Sequence, residues 1–385
     1  MGKTTRRGLI GSVAALPLAS TARAAESKKR SPATPKMPDT TIAPWVLTCA
    51  QMPLPSYAAA KTIEDTRAVL AKSMESFEKQ IVLAMERRSD LILFPENMLG
   101  GPGDNMRGVL DFPGPEIEQV QKLAQKHKIF IGGHAYTRDA KFPGRYFNTS
   151  FLLDRSGNVA LKYYRIHTYH SFSPHDFWDK FLDTVGLEGA FPVARTELGN
   201  IAMMPSMELM FPELARMLTL RGMEVLLHDT GEALCDVSVK RTRAAENLIY
   251  LASTNGTYAI GKKSMKVGSR IVDWEGEVLA ELADGASGQC AAYIDVESLR
   301  KRRANPDIVE PQSRGLTDVN YLSRMRVEIC RDIYNAISMY PVNTYVEGGD
   351  PVKSRITPEV NAPKLNLAVK RMADAGLIPA KYVKG

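Results

Sequence analysis

The sequence predicts an α/β layer fold with mixed sheets, on two observations. From Trp45 onward, runs of strand character alternate with runs of helical character, the pattern of sheets covered by helices. Midway, Asn148–Asp154 and Asn158–Tyr164 flank Arg155-Ser156-Gly157, a turn that folds the two runs into a hairpin and makes the sheet mixed. In chain order, Trp45–Gln51 reads as a first strand. Met74–Arg88 reads as a helix because Phe77, Ile81, Ala84 and Met85 share one face. Leu91–Phe94 is a buried strand, Glu116–Lys128 a second amphipathic helix and Ile129–Gly132 a third strand. After the hairpin, Phe172–Ala190 is aromatic and charged without clear periodicity. Asn200–Met204 reads as a strand leading to a helix over Phe211–Arg221, and Val225–Leu227, Leu248–Ser253, Ser269–Asp273 and Ala291–Asp295 complete the strands. Beyond Arg303, Pro306–Val319 reads as a loop and Tyr321–Tyr340 as one helix, with Tyr321, Met325, Ile329 and Ile333 in an apolar stripe that would pack on the domain or across a subunit interface.

At 385 residues, 44% hydrophobic and 24% charged, the chain can bury a full core and is long enough for one large domain with extensions. The first two dozen residues read as a twin-arginine export signal: Arg6-Arg7, a mild apolar run over Leu9–Ala19, and Ala22-Arg23-Ala24 ending in small residues. The alternative is a basic amino terminus that stays on the protein. The expected organisation is a leader at 1–24, a flexible tether at 25–41, a main α/β domain at 42–303 and an extension at 304–385. The protein would be periplasmic or secreted, with no membrane insertion of the mature chain, since the apolar run is too short to span a bilayer. Removing Lys3, Arg6, Arg7 and Arg23 reduces the formal charge from +7 to +3, too small an excess for a nucleic-acid partner. Cys49, Cys235, Cys290 and Cys330 show no zinc or redox spacing. Because the twin-arginine route moves chains already folded in a reducing cytosol, buried and unpaired thiols are expected.

Three segments place a polar residue straight after an apolar strand, where it reaches the sheet edge and can line a pocket: Phe94-Pro95-Glu96, Tyr164-Arg165-Ile166-His167 and Pro205-Ser206-Met207-Glu208. Singly, each has an ordinary reading as a cap or a solvated surface residue. Together, Leu91–Glu96, the Gly157–His167 hairpin, Gly199–Glu213 and Arg243–Asn247 resemble, in order and spacing, the signature segments of the nitrilase or carbon–nitrogen hydrolase superfamily, from about Trp45 to about Arg303. The resemblance implies a four-layer α-β-β-α sandwich with mixed sheets and pairing of subunits through helical faces into a homodimer or higher homo-oligomer. It also implies a small-molecule amide or carboxylate partner and no cofactor. In the family a Glu is the general base, a Lys stabilises the oxyanion and a Cys is the nucleophile. Carried over, Glu96 takes the base position, Arg165 the Lys position and Ser206 the Cys position, with Met207 beside the oxyanion. Phe211-Pro212-Glu213 sets the register of Ser206, and Ile166-His167 that of Arg165. For the family's supporting carboxylate, Asp176 and Asp179 lie in the right segment, Asp176 being preferred.

These substitutions change the chemistry. A serine hydroxyl carries almost no anion near neutral pH, so it attacks only if a base removes its proton during the step. Glu96 could be that base. Arg165 can donate to a developing oxyanion but cannot shuttle protons. Lys162 is no substitute, because an odd offset along a strand aims it to the opposite face. Two readings stay open: an amidase-like enzyme using Ser206, Glu96 and Arg165, or a catalytically dead relative that binds a small amide or carboxylate. Cys235 as a displaced nucleophile is a further alternative. His134, His167, His170 and His175 lack the paired spacing of a metal site, and no metal is expected.

Overall fold

In the computed structural model the described residues are 40–383, apart from 58, 102–107, 169–172, 232–234, 258, 261–262, 265–267, 284, 306–321, 323–324, 338, 340–341 and 344–357. The expected leader, nearly all of the expected tether and the loop expected over 306–319 lie outside them. All described elements fall in one compact unit, Lys36–Gly385.

Two mixed sheets form the middle of the fold. The first runs β15 (Gly288–Ile294), β1 (Trp45–Gln51), β2 (Leu91–Leu93), β4 (Phe130–Arg138), β5 (Phe147–Leu153), β6 (Val159–Tyr164), with β3 (Val109–Asp111) paired to the end of β4. The second runs β14 (Val278–Glu281), β13 (Arg270–Val272), β10 (Tyr250–Asn255), β9 (Val225–Thr230), β8 (Gly199–Pro205), β7 (Ala194–Thr196). The expected hairpin is there, β5 and β6 pairing antiparallel around the Arg155–Gly157 turn. A short pair, β11 (Ala259–Ile260) and β12 (Lys263–Ser264), stands apart.

Residue parity explains why the sheets are covered on both faces. On sheet one, Leu47, Cys49, Leu91, Leu93, Phe130 and Leu152 point into the core shared with sheet two. Their neighbours Ile92, Phe94, Ile131, Phe151 and Leu153 point the other way, against α1 (Ile63–Glu86) and α2 (Pro115–His127). Alternate residues of one strand are thus buried in different layers, as the two-residue period of a strand requires. Sheet two is covered by α4 (Pro212–Leu220) and α5 (Val237–Asn247), through Leu214, Ala215, Leu218 and Ala244. The result is the four-layer α-β-β-α sandwich that the sequence implied. Gly132 lets the sheets close: a Cβ there would lie 2.8 Å from Leu93 and 3.4 Å from Leu227 of the facing sheet.

Several elements differ from the sequence reading. The first helix starts eleven residues earlier than expected, at Ile63, because Thr62 and Asp65 form a capping box that satisfies its free N–H groups. The segment without clear periodicity is a 3-10 turn, Pro174–Phe177, followed by α3 (Trp178–Ala190). Its period is hidden because Gly186, at φ +67°, breaks the helix into two pieces. After α6 (Val296–Ala304), the described part of the helix expected over 321–340 holds a 3-10 turn, Val327–Cys330, and α7 (Arg331–Ala336), closed by the extended backbone of Ile337. Ile329 and Ile333 are 73% and 64% exposed, so these two stripe residues do not pack on the domain. A helix that the sequence reading lacked, α8 (Pro358–Asp374), lies farther on. Cys49, Cys235 and Cys290 are buried free thiols as expected, whereas Cys330 is exposed. No helix among the described residues is long and apolar enough to cross a membrane.

Leu227, fully buried between the sheets, tests the shared core. Leu227→Ala should cost about 2–5 kcal/mol of unfolding free energy in urea titrations, and a loss under 1 kcal/mol would mean the sheets do not close over it.

Candidate active site

The site forms where strands of both sheets end. Glu96 follows β2, Arg165 follows β6, Ser206 follows β8, and Asp229 lies near the end of β9 opposite Pro205. The three residues singled out from the sequence are buried: Glu96 is 4% exposed, Arg165 5% and Ser206 0%.

Glu96 and Arg165 form an ion pair, Arg165 Nη1 donating to Glu96 Oε1 at 3.1 Å. The same carboxylate oxygen accepts from Asn148 Nδ2 at 3.0 Å. Asn148 is held in turn by His134, whose Nε2 lies 2.6 Å from Asn148 Oδ1. The Asn97 backbone N–H donates to His134 Nδ1 at 2.9 Å, so Nδ1 is the acceptor and Nε2 carries the proton. Burial, above all, keeps the His134 imidazole below its ordinary pKa and so neutral. A chain of donors therefore runs from the Asn97 backbone through His134 and Asn148 to Glu96. Arg165 also donates from Nε to the His167 carbonyl at 2.6 Å, which fixes the guanidinium plane.

Ser206 opens a 3-10 turn, Ser206–Met210, with φ at +54°. A non-glycine residue in this region costs of order 1–3 kcal/mol and persists only where its surroundings impose it. Here they do. His228 Nε2 donates to the Ser206 carbonyl at 2.7 Å, and the Cys235 thiol approaches the same oxygen at 3.6 Å. Ser253 Oγ occupies His228 Nδ1 at 2.9 Å. Burial first, then the Lys240 charge, lowers the His228 pKa to about 3. With its carbonyl held, Ser206 keeps its hydroxyl free: Oγ is buried and has no hydrogen-bond partner among the described residues.

Asp229 joins the two halves. Its side chain crosses to sheet one, where Ser150 Oγ lies 3.0 and 2.9 Å from its two oxygens. Burial and then the Glu96 charge raise its pKa well above the ordinary carboxylate value, because both disfavour a second negative charge there. Arg165 acts electrostatically on both Asp229 and His228, which brings the Glu96–Arg165 pair and the Ser206 turn into one field.

The sequence reading missed the residue that fastens these halves. Glu208, fully buried two residues after Ser206, accepts from Tyr163 Oη at 2.8 Å, the Ile166 N–H at 2.7 Å and the His167 N–H at 2.6 Å. It therefore sets the Arg165 segment against the Ser206 turn. The sequence signal was a carboxylate two residues beyond Ser206, at the third position of the strand-to-turn junction. Met207, half-buried, is the second residue of that turn. Asp176 is buried in its own 3-10 turn and acts on Arg145, whose guanidinium stacks on Phe177 at 3.7 Å, while Asp179 bonds Asn343. Lys162 points to the opposite face, as its parity required, onto Asp139 at 2.6 Å. His167 stacks on Phe211 with centroids 4.0 Å apart, and His170 lies outside the described residues. Among the described residues no three His, Cys, Asp or Glu side chains are grouped to hold a metal ion.

A model of the carbon–nitrogen hydrolase family matches residues 47–304. A probable nitrilase of Schizosaccharomyces pombe is 25% identical over 267 residues, 67% of this chain and 92% of its own. A deaminated glutathione amidase of Synechocystis is 24% identical over 260 residues, 64% of this chain and 94% of its own. Among solved structures, an amidase variant from Nesterenkonia, carrying the acetamide moiety of fluoroacetamide on its active-site cysteine, superposes with a TM-score of 0.54 at 19% identity. That likeness, over 77% of this chain and 99% of the other, is one of fold.

Two outcomes follow from this geometry. Glu208→Ala leaves three donors without their acceptor and should lower unfolding free energy in urea by roughly 3 kcal/mol or more; an unchanged midpoint would remove its fastening role. Between pH 6.5 and about 3 the unfolded chain binds a proton at His228 that the folded chain refuses. The stability His228 supports is therefore complete above pH 6.5 and falls with pH across that window, by up to about 1.4 kcal/mol per unit. Denaturant titrations from pH 7 to 4 should show a shallower fall for His228→Gln than for the wild type.

Proposed function

Since the chain belongs to the carbon–nitrogen hydrolase family, we propose that it is an exported hydrolase of small-molecule amides in which Ser206 replaces the family's cysteine as nucleophile. Glu96 is the base and Arg165, in the family's lysine position, stabilises the oxyanion. The observation that carries this reading is the Ser206 hydroxyl itself, fully buried, held at positive φ and without a hydrogen-bond partner among the described residues. A polar atom in that state carries a desolvation cost that a substrate would relieve.

In the proposed reaction Oγ attacks the amide carbonyl carbon as its proton passes to Glu96. The C=O electron pair moves onto oxygen, and the oxyanion is met by the Arg165 N–H groups and the Met207 backbone N–H. Collapse breaks the C–N bond, and the leaving nitrogen takes the proton from Glu96. A water, deprotonated by Glu96, then attacks the acyl-serine ester, and the carboxylic acid leaves as Ser206 recovers its proton. Asp176, preferred at the outset as the supporting carboxylate, would act through Arg145.

One observation favours the second reading, a binding protein for a small amide or carboxylate. Glu96 Oε1 is already engaged by Arg165 and Asn148, which leaves that oxygen less available to take a proton from Ser206. Intact-protein mass after incubation with short amides, activated esters and a serine-directed acylating probe separates the two. Acylation or turnover by the wild type and neither by Ser206→Ala supports the enzyme. No reaction by either form, with thermal stabilisation by a small carboxylate or amide, replaces it with the binding protein.

The proposed export rests on the sequence of residues 1–24, and a mature protein beginning at Ala25 in the extracytoplasmic fraction would support it. The proposed homodimer or higher homo-oligomer rests on the family resemblance, and the exposed Val82, Leu83 and Met85 of α1 and Met217 and Leu220 of α4 give it apolar helical faces to use. A monomer by light scattering would remove it.

A further inference from the structure

The proposed chemistry leaves two buried thiols unused. Cys49 on β1 and Cys290 on β15 are register partners in an antiparallel pair, and both side chains enter the core between the sheets. Opposed residues of such a pair have Cα atoms about 4.5–5.5 Å apart, inside the roughly 4.4–6.8 Å that a disulfide spans. The two thiols interact directly, each acting on the other's proton. The pair is also asymmetric. Burial pushes the Cys49 thiol well up, whereas the hydrogen bond from Cys49, and then the Lys240 and Arg270 charges, bring Cys290 below its ordinary value. Cys290 is the better placed to attack, and it lies on the edge strand of its sheet. Tyr293, three residues on, is 73% exposed, and edge segments open locally at far less cost than a whole fold.

We propose that Cys49 and Cys290 are a cross-linking site, closed into an intramolecular disulfide when the folded protein meets an oxidising disulfide, small or protein-borne. The Cys290 thiolate attacks one sulfur of that reagent, forming a mixed disulfide and releasing the first reagent thiol. Cys49, losing its proton, attacks the mixed disulfide at the Cys290 sulfur and expels the second. Two protein thiols are oxidised by two electrons, one reagent disulfide is reduced to two thiols, and the protons end on those thiols. The bond joins the first and last strands of sheet one and closes the chain between positions 49 and 290. It stabilises the fold by restricting the unfolded ensemble, an effect that grows with loop length. The site stands whether or not Ser206 is a nucleophile, and export would only determine where the oxidant is met.

The test uses the full chain with Cys330→Ser, which removes the exposed thiol. The protein is equilibrated with oxidised glutathione, denatured in an alkylating reagent and digested without reductant. The expected result is a linked Cys49–Cys290 peptide lacking two hydrogens, with Tm raised by about 5 °C and restored by reductant. Cys290→Ala in the same background should lose both; should that variant fail to fold, the peptide map of the parent decides. Full alkylation of both thiols, or a glutathione adduct on Cys290 with Cys49 still alkylated, would overturn the proposal.

Discussion

A carboxylate and a guanidinium buried together at the seam of two sheets set the terms for the surroundings. Glu96 and Arg165 side chains are each 5% exposed. Either charge alone would cost several kcal/mol in that interior, and the pair recovers this only when the remaining donors and acceptors are also met. That condition accounts for the composition of β4 and β5. Their inward faces carry Phe130 and Leu152 at one end, in the core, and His134, Asn148 and Ser150 at the other. Asn148 meets Glu96, His134 meets Asn148, and Ser150 meets Asp229 across the gap. The hydrophobic core stops where the ion pair begins.

A second condition follows. Arg165 lies just beyond the end of β6, so its position depends on the few bonds that hold its backbone there. The N–H of Arg165 reaches the Asn148 carbonyl at 2.9 Å, and the next two N–H groups reach Glu208. Since Glu208 belongs to the turn that presents Ser206, the guanidinium and the hydroxyl are positioned by one carboxylate. His228 and Cys235 secure the same turn from its carbonyl. A serine at φ +54° survives because three separate side chains hold the turn around it.

The fold was legible because its signals are local. Apolar runs bounded by turn residues gave the strands of both sheets, and parity alone predicted that Lys162 would face away from Arg165, as it does on Asp139. Three short strands were lost, β3 and β7 of three residues and β14 of four, whose residues are partly exposed and form no unbroken apolar run, whereas the equally short β2 is apolar throughout. Glu96, Arg165 and Ser206 were legible because each follows an apolar strand and their spacing matches a family. The residues holding them were not. Asn148 is 52 positions from Glu96, Tyr163 is 45 from Glu208 and Ser150 is 79 from Asp229. Each of these reads in sequence as a stray polar residue in a strand, because no periodicity announces a partner so far along the chain. The stripe around Ile329 and Ile333 failed differently, since an apolar face shows that a helix could be covered without showing that anything covers it.

The electrostatics of the site bear on what it can accept. His134 and His228 are held neutral by burial, and burial with the Glu96 charge disfavours ionisation of Asp229. Next to the Ser206 turn the opposed charges of Glu96 and Arg165 remain, and they are paired. An incoming carboxylate would add a second buried negative charge beside the one guanidinium that Glu96 already shares, a cost that only further donors could offset. A neutral amide adds no such charge. It could place its carbonyl near the guanidinium while the ion pair persists, and in the proposed reaction negative charge would arise on that oxygen only as Oγ attacked and Glu96 took the proton. The carboxylate would then lose its charge as the oxyanion gained one, so Arg165 would pass from one anion to the other without a net change in buried charge. Stabilisation of this kind is greater in the transition state than in the resting site. It therefore favours a neutral acyl substrate over a permanently charged ligand.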